Sequence, residues 1–186
     1  MKKLLSFLVL ILISSLFNKP IYANEKILKL LKEGGKVVFI RHAYAPGNGD
    51  PVNFDIKSCS TQRNLNSNGI SQSKNIGTFF SKNNIQIDKV LSSEWCRCKD
   101  TAQHAFETFE TFNALNSFYD PRFEKNKSKQ IKNLKNFIKN WKSNKNLILV
   151  THFVVISEML DIGVSSGEIV VSDKNLSIQG TLEVNM

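Results

Sequence analysis

The fold of this chain is set by the segment Val37-Val38-Phe39-Ile40-Arg41-His42-Ala43. Its first four residues, with Lys36 before them, form a short apolar, β-branched run, which is typical of a strand buried on both faces of a sheet. The run ends at two polar residues, Arg41 and His42. In sheets of parallel strands, ligands gather beyond the carboxyl ends of the strands. The segment therefore predicts a central strand over residues 36–40 with a functional site directly after it.

Two more predicted strands end in the same way. Strand 88–91 is followed by a polar segment that reaches Arg97, and strand 146–150 is followed by His152. Helical periodicity fills much of the intervening sequence. The other predicted elements are helices at 24–32, 68–80, 94–109, 127–141 and 154–160, a long loop at 43–62, and closing strands at 169–172 and 176–184. This alternation predicts a single-domain α/β fold with a mainly parallel central sheet and helices on both faces.

The residues after these three strands predict a site for a phosphoryl group. Arg41, His42, Arg97 and His152 would meet at one sheet edge, and a half-buried cationic cluster requires an anion such as phosphate. The chain has no H-E-x-x-H, no G-K-[ST] phosphate loop and no G-x-S-x-G. Cys96, directly before Arg97, does not provide the loop of a cysteine-based phosphatase. The remaining nucleophile is the neutral imidazole of His42, and no metal or cofactor is expected.

The first 23 residues predict a signal peptide. Lys2 and Lys3 precede an apolar run over residues 4–17, and Ala23 supplies a small residue at the cleavage point. The run of 14 residues is shorter than the ~20 residues that cross a hydrocarbon core. The functional domain would then span residues 24–186, in the periplasm or secreted, with no membrane span after cleavage. An uncleaved membrane anchor is the alternative.

The charge balance favours an anionic substrate over nucleic acid. The formal net charge is +9, and residues 1–23 hold three lysines and no acid, so the rest has 22 Lys+Arg against 16 Asp+Glu, or +6. The excess lysines are spread over solvated positions and form no basic run interleaved with aromatic residues. Nucleic acid is therefore not expected as a partner, whereas a positive field attracts phosphate esters.

Three cysteines follow the predicted signal peptide: Cys59, Cys96 and Cys98. A C-x-C spacing does not fit the C-x-x-C pairs of redox or zinc sites. In an oxidising compartment, one disulfide between Cys59 and either Cys96 or Cys98 is expected, with Cys59–Cys98 as the first choice. Three free thiols are the alternative.

The segment from Phe39 to Ala43 resembles the signature of the histidine phosphatase superfamily, the phosphoglycerate-mutase-like proteins, and points to a small exported branch. Further resemblances follow in the order expected for that family. They are Arg63-Asn64-Leu65 with Gly69 and Gln72, Ser92 to Arg97 with Thr101-Ala102, Leu149 to His152, and Gly167 to Val170. Together they cover about residues 36–172, which is nearly the whole domain.

The resemblance implies roles for individual residues. His42 would carry the phosphoryl group, and Arg41, Arg97 and His152 would complete the phosphate pocket. Arg63 would bind substrate, with plain loop capping as the alternative. The residues 48–50 would shape the mouth of the site.

The resemblance does not identify the residue that donates a proton to the leaving group. Phe153 occupies the place of the Asp that the acid-phosphatase branch has after its second histidine. The other branch uses a carboxylate some two dozen residues after the pocket arginine, which suggests Asp120 first and Glu124 second. Asp50 is a third candidate, and the fourth alternative is that the chain has no general acid, as in relatives that act on phosphohistidine.

These features predict an exported phosphatase that hydrolyses phosphate monoesters or phosphohistidine. The expected partner is a small phosphorylated substrate, for example a phosphosugar or a phosphate of the lipopolysaccharide core. A catalytically inactive phosphate- or phosphoglycan-binding domain of the same fold is the alternative from another functional class. A sugar-phosphate mutase fits less well because the chain has little length for additional segments around the site.

Overall fold

The structure, a computed structural model, describes residues 19–184 of the chain. Most of the predicted signal peptide falls on residues 1–18, which lie outside the described residues. The first described helix begins at Lys19, ahead of the predicted cleavage point after Ala23. No helix within residues 19–184 is long and apolar enough to cross a membrane.

Helices and strands alternate along the described part of the chain, as the sequence predicts. The helices are α1 (Lys19–Glu33), α2 (Ser67–Lys82), α3 (Cys96–Phe106), α4 (Pro121–Glu124), α5 (Lys127–Asn140) and α6 (Phe153–Leu160). The strands are β1 (Val37–Arg41), β2 (Ile87–Ser92), β3 (Glu110–Thr111), β4 (Asn146–Thr151), β5 (Ile169–Ser172) and β6 (Ile178–Leu182). Single 3₁₀ turns lie at Cys59–Thr61 and Asn113–Leu115.

The strands form one six-stranded sheet in the order β3-β2-β4-β1-β5-β6. The pairs β3–β2, β2–β4 and β4–β1 are parallel, and β5 and β6 close the sheet in antiparallel fashion. Every residue of β4 is buried, because this strand lies in the middle of the parallel part. The predicted single-domain, mainly parallel α/β fold is thereby confirmed.

Two hydrophobic cores lie on opposite faces of the sheet. Along β1, Val37 and Phe39 belong to one core, whereas Val38 and Ile40 belong to the other. This alternation follows from the two-residue period of side-chain direction in a strand. Residues of α5 and α6 pack in the first core, and residues of α1, α2 and α3 pack in the second. Because both faces of β1 are buried, all of its residues before Arg41 are apolar, and the sequence shows a continuous hydrophobic run.

Two short elements, β3 and α4, were missed by the sequence prediction. Strand β3 has two residues, both exposed, so it has no apolar pattern to reveal it. It forms because Leu91 and Ser92 of β2 offer a parallel edge. Helix α4 has a local signal, since Asp120 caps its first turn by accepting from the amide of Arg122 and Pro121 starts it. With four residues, however, it is too short to show helical periodicity.

The disulfide joins Cys59 to Cys96, so the first choice of Cys59–Cys98 was wrong. Cys96 and Cys98 are two residues apart on α3, which separates their side chains by about 200° around the helix. Cys96 starts the helix beside the long loop, and its amide donates to Oε1 of Gln62 at 2.9 Å. Cys98 points into the core as a buried free thiol, and burial is the main reason that its pKa rises to about 12.

Candidate active site

The carboxyl ends of β2, β4 and β1, three neighbours in the sheet, converge on one cavity of ≈ 170 Å³. Side chains from all three strand ends and from the long loop line this cavity. They are Arg41, His42, Asn48, Gly49, Asp50, Arg63, Trp95, Arg97, Ser117, Tyr119, Asp120, Phe123, His152, Phe153 and Val154. The cavity is smaller than the ~300–1,000 Å³ of sites for drug-sized ligands, so its size suits a phosphoryl group with a small part of its leaving group.

His42 is buried and has a defined tautomer. Its Nδ1 lies 2.8 Å from the carbonyl oxygen of Ala43, and because a carbonyl can only accept, Nδ1 must carry the proton. In the neutral imidazole the lone pair is then on Nε2. Burial lowers the pKa of His42 well below its usual value, and the positive charge of Arg97 lowers it further. The ring is therefore neutral at pH 7 and has a nucleophilic nitrogen.

Two guanidinium groups are held beside the cavity by backbone carbonyls. Nη1 of Arg41 donates to the carbonyl of Val164 at 2.7 Å, and the Arg41 guanidinium lies over the ring of Phe153 at 5.5 Å. Nε of Arg63 donates to the carbonyl of Gly49 at 3.1 Å. Burial is the first cause that lowers the pKa of both arginines, and the nearby charge of Arg97 is the second.

Arg97 and Asp50 form a buried ion pair at the N-terminal end of α3. Nη1 and Nη2 of Arg97 donate to the two carboxylate oxygens at 2.8 and 3.2 Å. The carboxylate also accepts from the amide of Arg63 at 3.0 Å and from Nε1 of Trp95 at 3.0 Å. Burial raises the pKa of Asp50, but the hydrogen bonds and charge of Arg97 outweigh this effect and leave the pKa below its usual value. Asp50 is therefore an anion that fixes Arg97, and this arrangement is opposed to its use as a proton donor.

The favoured acid of the sequence prediction, Asp120, lies at the cavity but is also held as a carboxylate. Nε and Nη2 of Arg122 donate to its two oxygens at 3.0 and 2.8 Å. These hydrogen bonds are the main cause that lowers the pKa of Asp120. Glu124, the second choice, is exposed and is not among the residues that line the cavity.

His152 lies opposite His42, with the two ring centroids 5.5 Å apart and the ring planes at 68°. Its Nε2 is 2.9 Å from Oγ of Ser93 and 3.5 Å from Sγ of Cys98. Burial, followed by the charge of Arg97, lowers the pKa of His152 well below its usual value. His152 is therefore a second neutral imidazole in the cavity.

The charges around the cavity leave an excess of two positive units. The described residues that line the cavity include three arginines and two carboxylates, Asp50 and Asp120. Asp120 is neutralised by Arg122, which does not line the cavity, so Asp50 alone balances one of the three arginines. In addition, the Nε atoms of Arg41 and Arg97 are buried and have no hydrogen-bond partner within the described part of the protein. A phosphate dianion would balance this charge and accept from such donors. No group of three or more potential metal ligands occurs within residues 19–184.

The motif residues Gly69 and Gln72 hold the start of the long loop in place. A Cβ on Gly69 would lie 2.1 Å from the carbonyl oxygen of Tyr44, so only glycine allows α2 to approach this closely. Gln72 accepts from the amide of Tyr44 at 2.9 Å and donates to the carbonyl of Ser166 at 2.8 Å. These two motif residues thus position backbone beside the site and do not line the cavity themselves.

The structure brings together Arg41, His42, Arg63, Arg97 and His152, the five residues expected around the phosphoryl group. It leaves Glu124 outside. Sequence analysis missed the contributions of other residues, because their partners are distant in sequence. They are the Asp50 contact to Arg97, the indole of Trp95, and the hydroxyl of Ser93 beside His152. The signal for Trp95 and Ser93 was the Ser92-to-Arg97 motif, whereas Asp50 was expected at the mouth of the site but not as the partner of Arg97.

Stability is expected to fall as the pH drops below about 6.5, because His42 and His152 are buried in the neutral form. Histidine in the unfolded chain has a pKa of about 6.5. Below this pH the two histidines bind protons in the unfolded chain but stay neutral in the folded chain. Each histidine then removes about 1.4 kcal/mol per pH unit below that value, or roughly 2–3 kcal/mol for the pair between pH 7.5 and 5.5. Urea denaturation at the two pH values measures this difference.

The variant His42→Ala is expected to reduce the pH dependence by about half, since one of the two buried imidazoles is removed. His104→Ala is the matched control, because His104 is exposed on α3. An unfolding free energy that is the same at pH 7.5 and 5.5 would contradict the neutral, buried state of both rings.

Comparison with known proteins is consistent with this geometry. Residues 37–148, more than half of the chain, match the family described as histidine phosphatase superfamily (branch 1). A search of curated proteins gave no significant match.

Several solved structures share the fold at low sequence identity. The protein histidine phosphatase SixA in complex with tungstate is 14% identical with a TM-score of 0.56, covering 80% of this chain and 96% of that one. A structure described as the putative phosphohistidine phosphatase SixA from Agrobacterium tumefaciens is 19% identical with a TM-score of 0.57, covering 80% and 97%. Phosphoglycerate mutase from Thermus thermophilus is 15% identical with a TM-score of 0.58, covering 81% and 99%. These similarities concern the fold.

Proposed function

Since this chain belongs to the histidine phosphatase superfamily, we propose that it is a phosphatase whose nucleophile is Nε2 of His42. One observation carries the proposal: a buried, neutral imidazole with a defined lone pair lies among three arginines. A site that only binds phosphate gains nothing from keeping this ring unprotonated, since an imidazolium would attract the anion better. The arrangement therefore favours catalysis over the alternative of an inactive binding domain.

The reaction proceeds in two transfers. Nε2 of His42 forms a bond to phosphorus while the bond from phosphorus to the leaving group breaks, and Nδ1–H···O=C to Ala43 stabilises the charge that develops on the ring. Arg41 and Arg97 stabilise the phosphoryl oxygens. Water then attacks phosphorus, the P–N bond returns its electron pair to Nε2, and phosphate leaves while a proton passes to solvent. The structurally similar SixA forms a complex with tungstate, an oxyanion, which supports the proposal that this fold can bind an anion.

The intermediate is tested by mass spectrometry of enzyme mixed with p-nitrophenyl phosphate and quenched in alkali. We expect one phosphoryl group on the peptide that contains His42, and we expect acid treatment to remove it, because a P–N bond is labile to acid. Peptides that contain His104 or His152 should stay unlabelled and provide the internal control. Turnover without any label on His42 would contradict the mechanism.

For substrates with poor leaving groups, we propose Asp120 as the proton donor. Asp120 lies at the cavity on the partly exposed segment that starts α4, and its only ion-pair partner within the described residues is Arg122. A bound phosphoryl dianion would raise the pKa of Asp120 by charge repulsion and favour the protonated acid. Phosphohistidine is the second candidate substrate, because both Asp50 and Asp120 are held as anions and a leaving imidazole needs little protonation.

The variant Asp120→Asn distinguishes the two substrate types. We expect kcat for a phosphosugar to fall by about 10²-fold, as for the loss of a general acid, while kcat for p-nitrophenyl phosphate changes little because nitrophenolate is a good leaving group. Glu124→Gln, in the short helix that Asp120 caps but outside the cavity, is the matched control. An unchanged phosphosugar rate in Asp120→Asn would remove Asp120 from the reaction.

We further propose that the enzyme is exported and acts on phosphate monoesters in the periplasm or outside the cell. The basic and apolar character of residues 1–23 supports this location, and phosphosugars or phosphates of the lipopolysaccharide core are then accessible substrates. The N-terminal residue of the protein recovered from the periplasm tests the proposal. Asn24 is the expected first residue, and an intact Met1 would contradict cleavage.

A further inference from the structure

A second concavity of ≈ 540 Å³ adjoins the catalytic cavity, and we infer that it is a subsite for the saccharide part of a phosphorylated substrate longer than one sugar unit. The inference rests on the proposed phosphatase function. We call this concavity the amide groove. It is lined by Phe54, Asp55, Ile56, Glu94, Trp95, Asn113, Asn116, Ser117, Phe123, Asn126, Lys129, Gln130 and Asn133.

The amide groove borders the catalytic cavity. Trp95, Ser117 and Phe123 line both concavities and form the boundary between them. On our proposal, a substrate whose phosphoryl group meets His42 crosses this boundary into the groove. The catalytic cavity alone, at ≈ 170 Å³, has little room beyond the phosphoryl group, whereas the volume of the groove is in the usual range for organic ligands.

Hydrogen bonds also connect the groove to His152. Glu94 accepts from Nδ2 of Asn116 at 2.5 Å, and Oδ1 of Asn116 accepts from Oγ of Ser93 at 3.1 Å. The same Ser93 hydroxyl lies 2.9 Å from Nε2 of His152. A ligand that binds beside Glu94 and Asn116 therefore contacts the residues that position His152.

The polar groups of the groove are available to a ligand. The side-chain amides of Asn113, Asn126 and Asn133 have no hydrogen-bond partner within residues 19–184, and the same part of the chain offers Lys129 no ion pair. Each amide both donates and accepts, which matches hydroxyl groups, since these also do both. Phe54, stacked on Trp95 at 5.1 Å, adds a partly exposed apolar surface for the C–H face of a sugar ring.

The charges of the groove argue against other ligands. The lining has two carboxylates, Asp55 and Glu94, against one lysine, Lys129, so its net negative charge would repel a polyanion such as a nucleic acid strand. The neutral amides would lose their water without compensation against a purely apolar ligand. An uncharged saccharide attached to the phosphorylated unit is not repelled by the carboxylates, and its hydroxyl groups can replace the water lost from the amides.

Glucose 6-phosphate and trehalose 6-phosphate test the subsite, because they share one primary phosphate ester and differ by one sugar ring. We expect a kcat/KM for trehalose 6-phosphate about tenfold above that for glucose 6-phosphate, the effect of a few additional hydrogen bonds. In the double variant Asn126→Leu/Asn133→Leu this advantage should disappear, while hydrolysis of p-nitrophenyl phosphate stays unchanged. The variant Asn136→Leu, on the exposed side of α5 and outside the groove, is the matched control.

Three outcomes would overturn the inference. The two sugar phosphates could be hydrolysed with equal kcat/KM. The advantage could survive in the double variant. A phosphoserine peptide could be preferred over trehalose 6-phosphate and be the substrate that the double variant loses, which would assign the groove to a polypeptide. Absence of p-nitrophenyl phosphate hydrolysis in the wild type would instead reject the phosphatase itself, and the subsite with it.

Discussion

Hydrolysis of p-nitrophenyl phosphate is expected to fall by about 10⁴-fold or more when His42 is replaced by alanine, because the mechanism then lacks its nucleophile. The buried Nε2 atom is held in place by the bond from Nδ1 to the carbonyl of Ala43, and within the described cavity the other imidazole is that of His152. Nε2 of His152 lies 2.9 Å from Oγ of Ser93, so this nitrogen is engaged in a hydrogen bond and does not replace Nε2 of His42. The measurement is kcat/KM for the variant and the wild type.

Binding of an oxyanion should survive this substitution. The guanidinium groups of Arg41, Arg63 and Arg97 keep their own contacts, none of which involves the His42 ring. Titration calorimetry with tungstate is expected to give a similar affinity for His42→Ala and for the wild type. Equal hydrolysis rates for the two proteins would contradict the phosphohistidine mechanism, and His104→Ala controls for general effects of losing an imidazole.

The variant Arg97→Leu is expected to lose both activity and stability. Activity should fall by about 10³-fold or more, as for the loss of an arginine that stabilises a transferring phosphoryl group. Stability should fall by about 3–5 kcal/mol, because the carboxylate of Asp50 would be left buried without its partner. Hydrolysis of p-nitrophenyl phosphate and urea denaturation measure the two effects separately.

The double variant Asp50→Asn/Arg97→Leu separates catalysis from folding. Removing the charge of Asp50 also removes the unpaired buried anion, so most of the lost stability should return. Activity should not return, since the guanidinium that meets the phosphoryl group is still missing. Recovery of activity in the double variant would show that Arg97 acts only as the partner of Asp50, and an unchanged instability would show that the ion pair is not the cause of the loss.

Much of the site was predictable because strand ends are local features. The apolar run before Arg41 and His42 had to be a buried strand, and the same holds for the run before His152. Parallel neighbours place their carboxyl ends at one edge, so the residues that follow the strands meet there. This reasoning needs only the order of elements, and the observed register of Arg41 opposite Thr151 agrees with it.

The roles of the carboxylates were not predictable in the same way. Asp50, Asp120 and Glu124 all lie in loops or in a short helix, where no periodicity fixes their direction. Asp50 is 47 residues from Arg97 in sequence, yet the two form a bidentate pair. Whether a carboxylate is a proton donor depends on the charges around it, and these charges come from distant segments.

The parallel α/β sheet and the meeting of Arg41, His42, Arg97 and His152 at one sheet edge follow from the sequence, because hydrophobic periodicity and strand order are local and repetitive signals. Three features required the folded chain: the pairing of Cys59 with Cys96, the neutralisation of Arg97 by Asp50, and the groove of unpartnered amides beside the site. These are contacts between side chains on separate loops and helices, and their partners are chosen by direction and distance in space. The segment from Val37 to Ala43 places His42 at the end of a buried strand, but burial by the surrounding fold and the charge of Arg97 are what lower the pKa of His42 and keep its ring neutral.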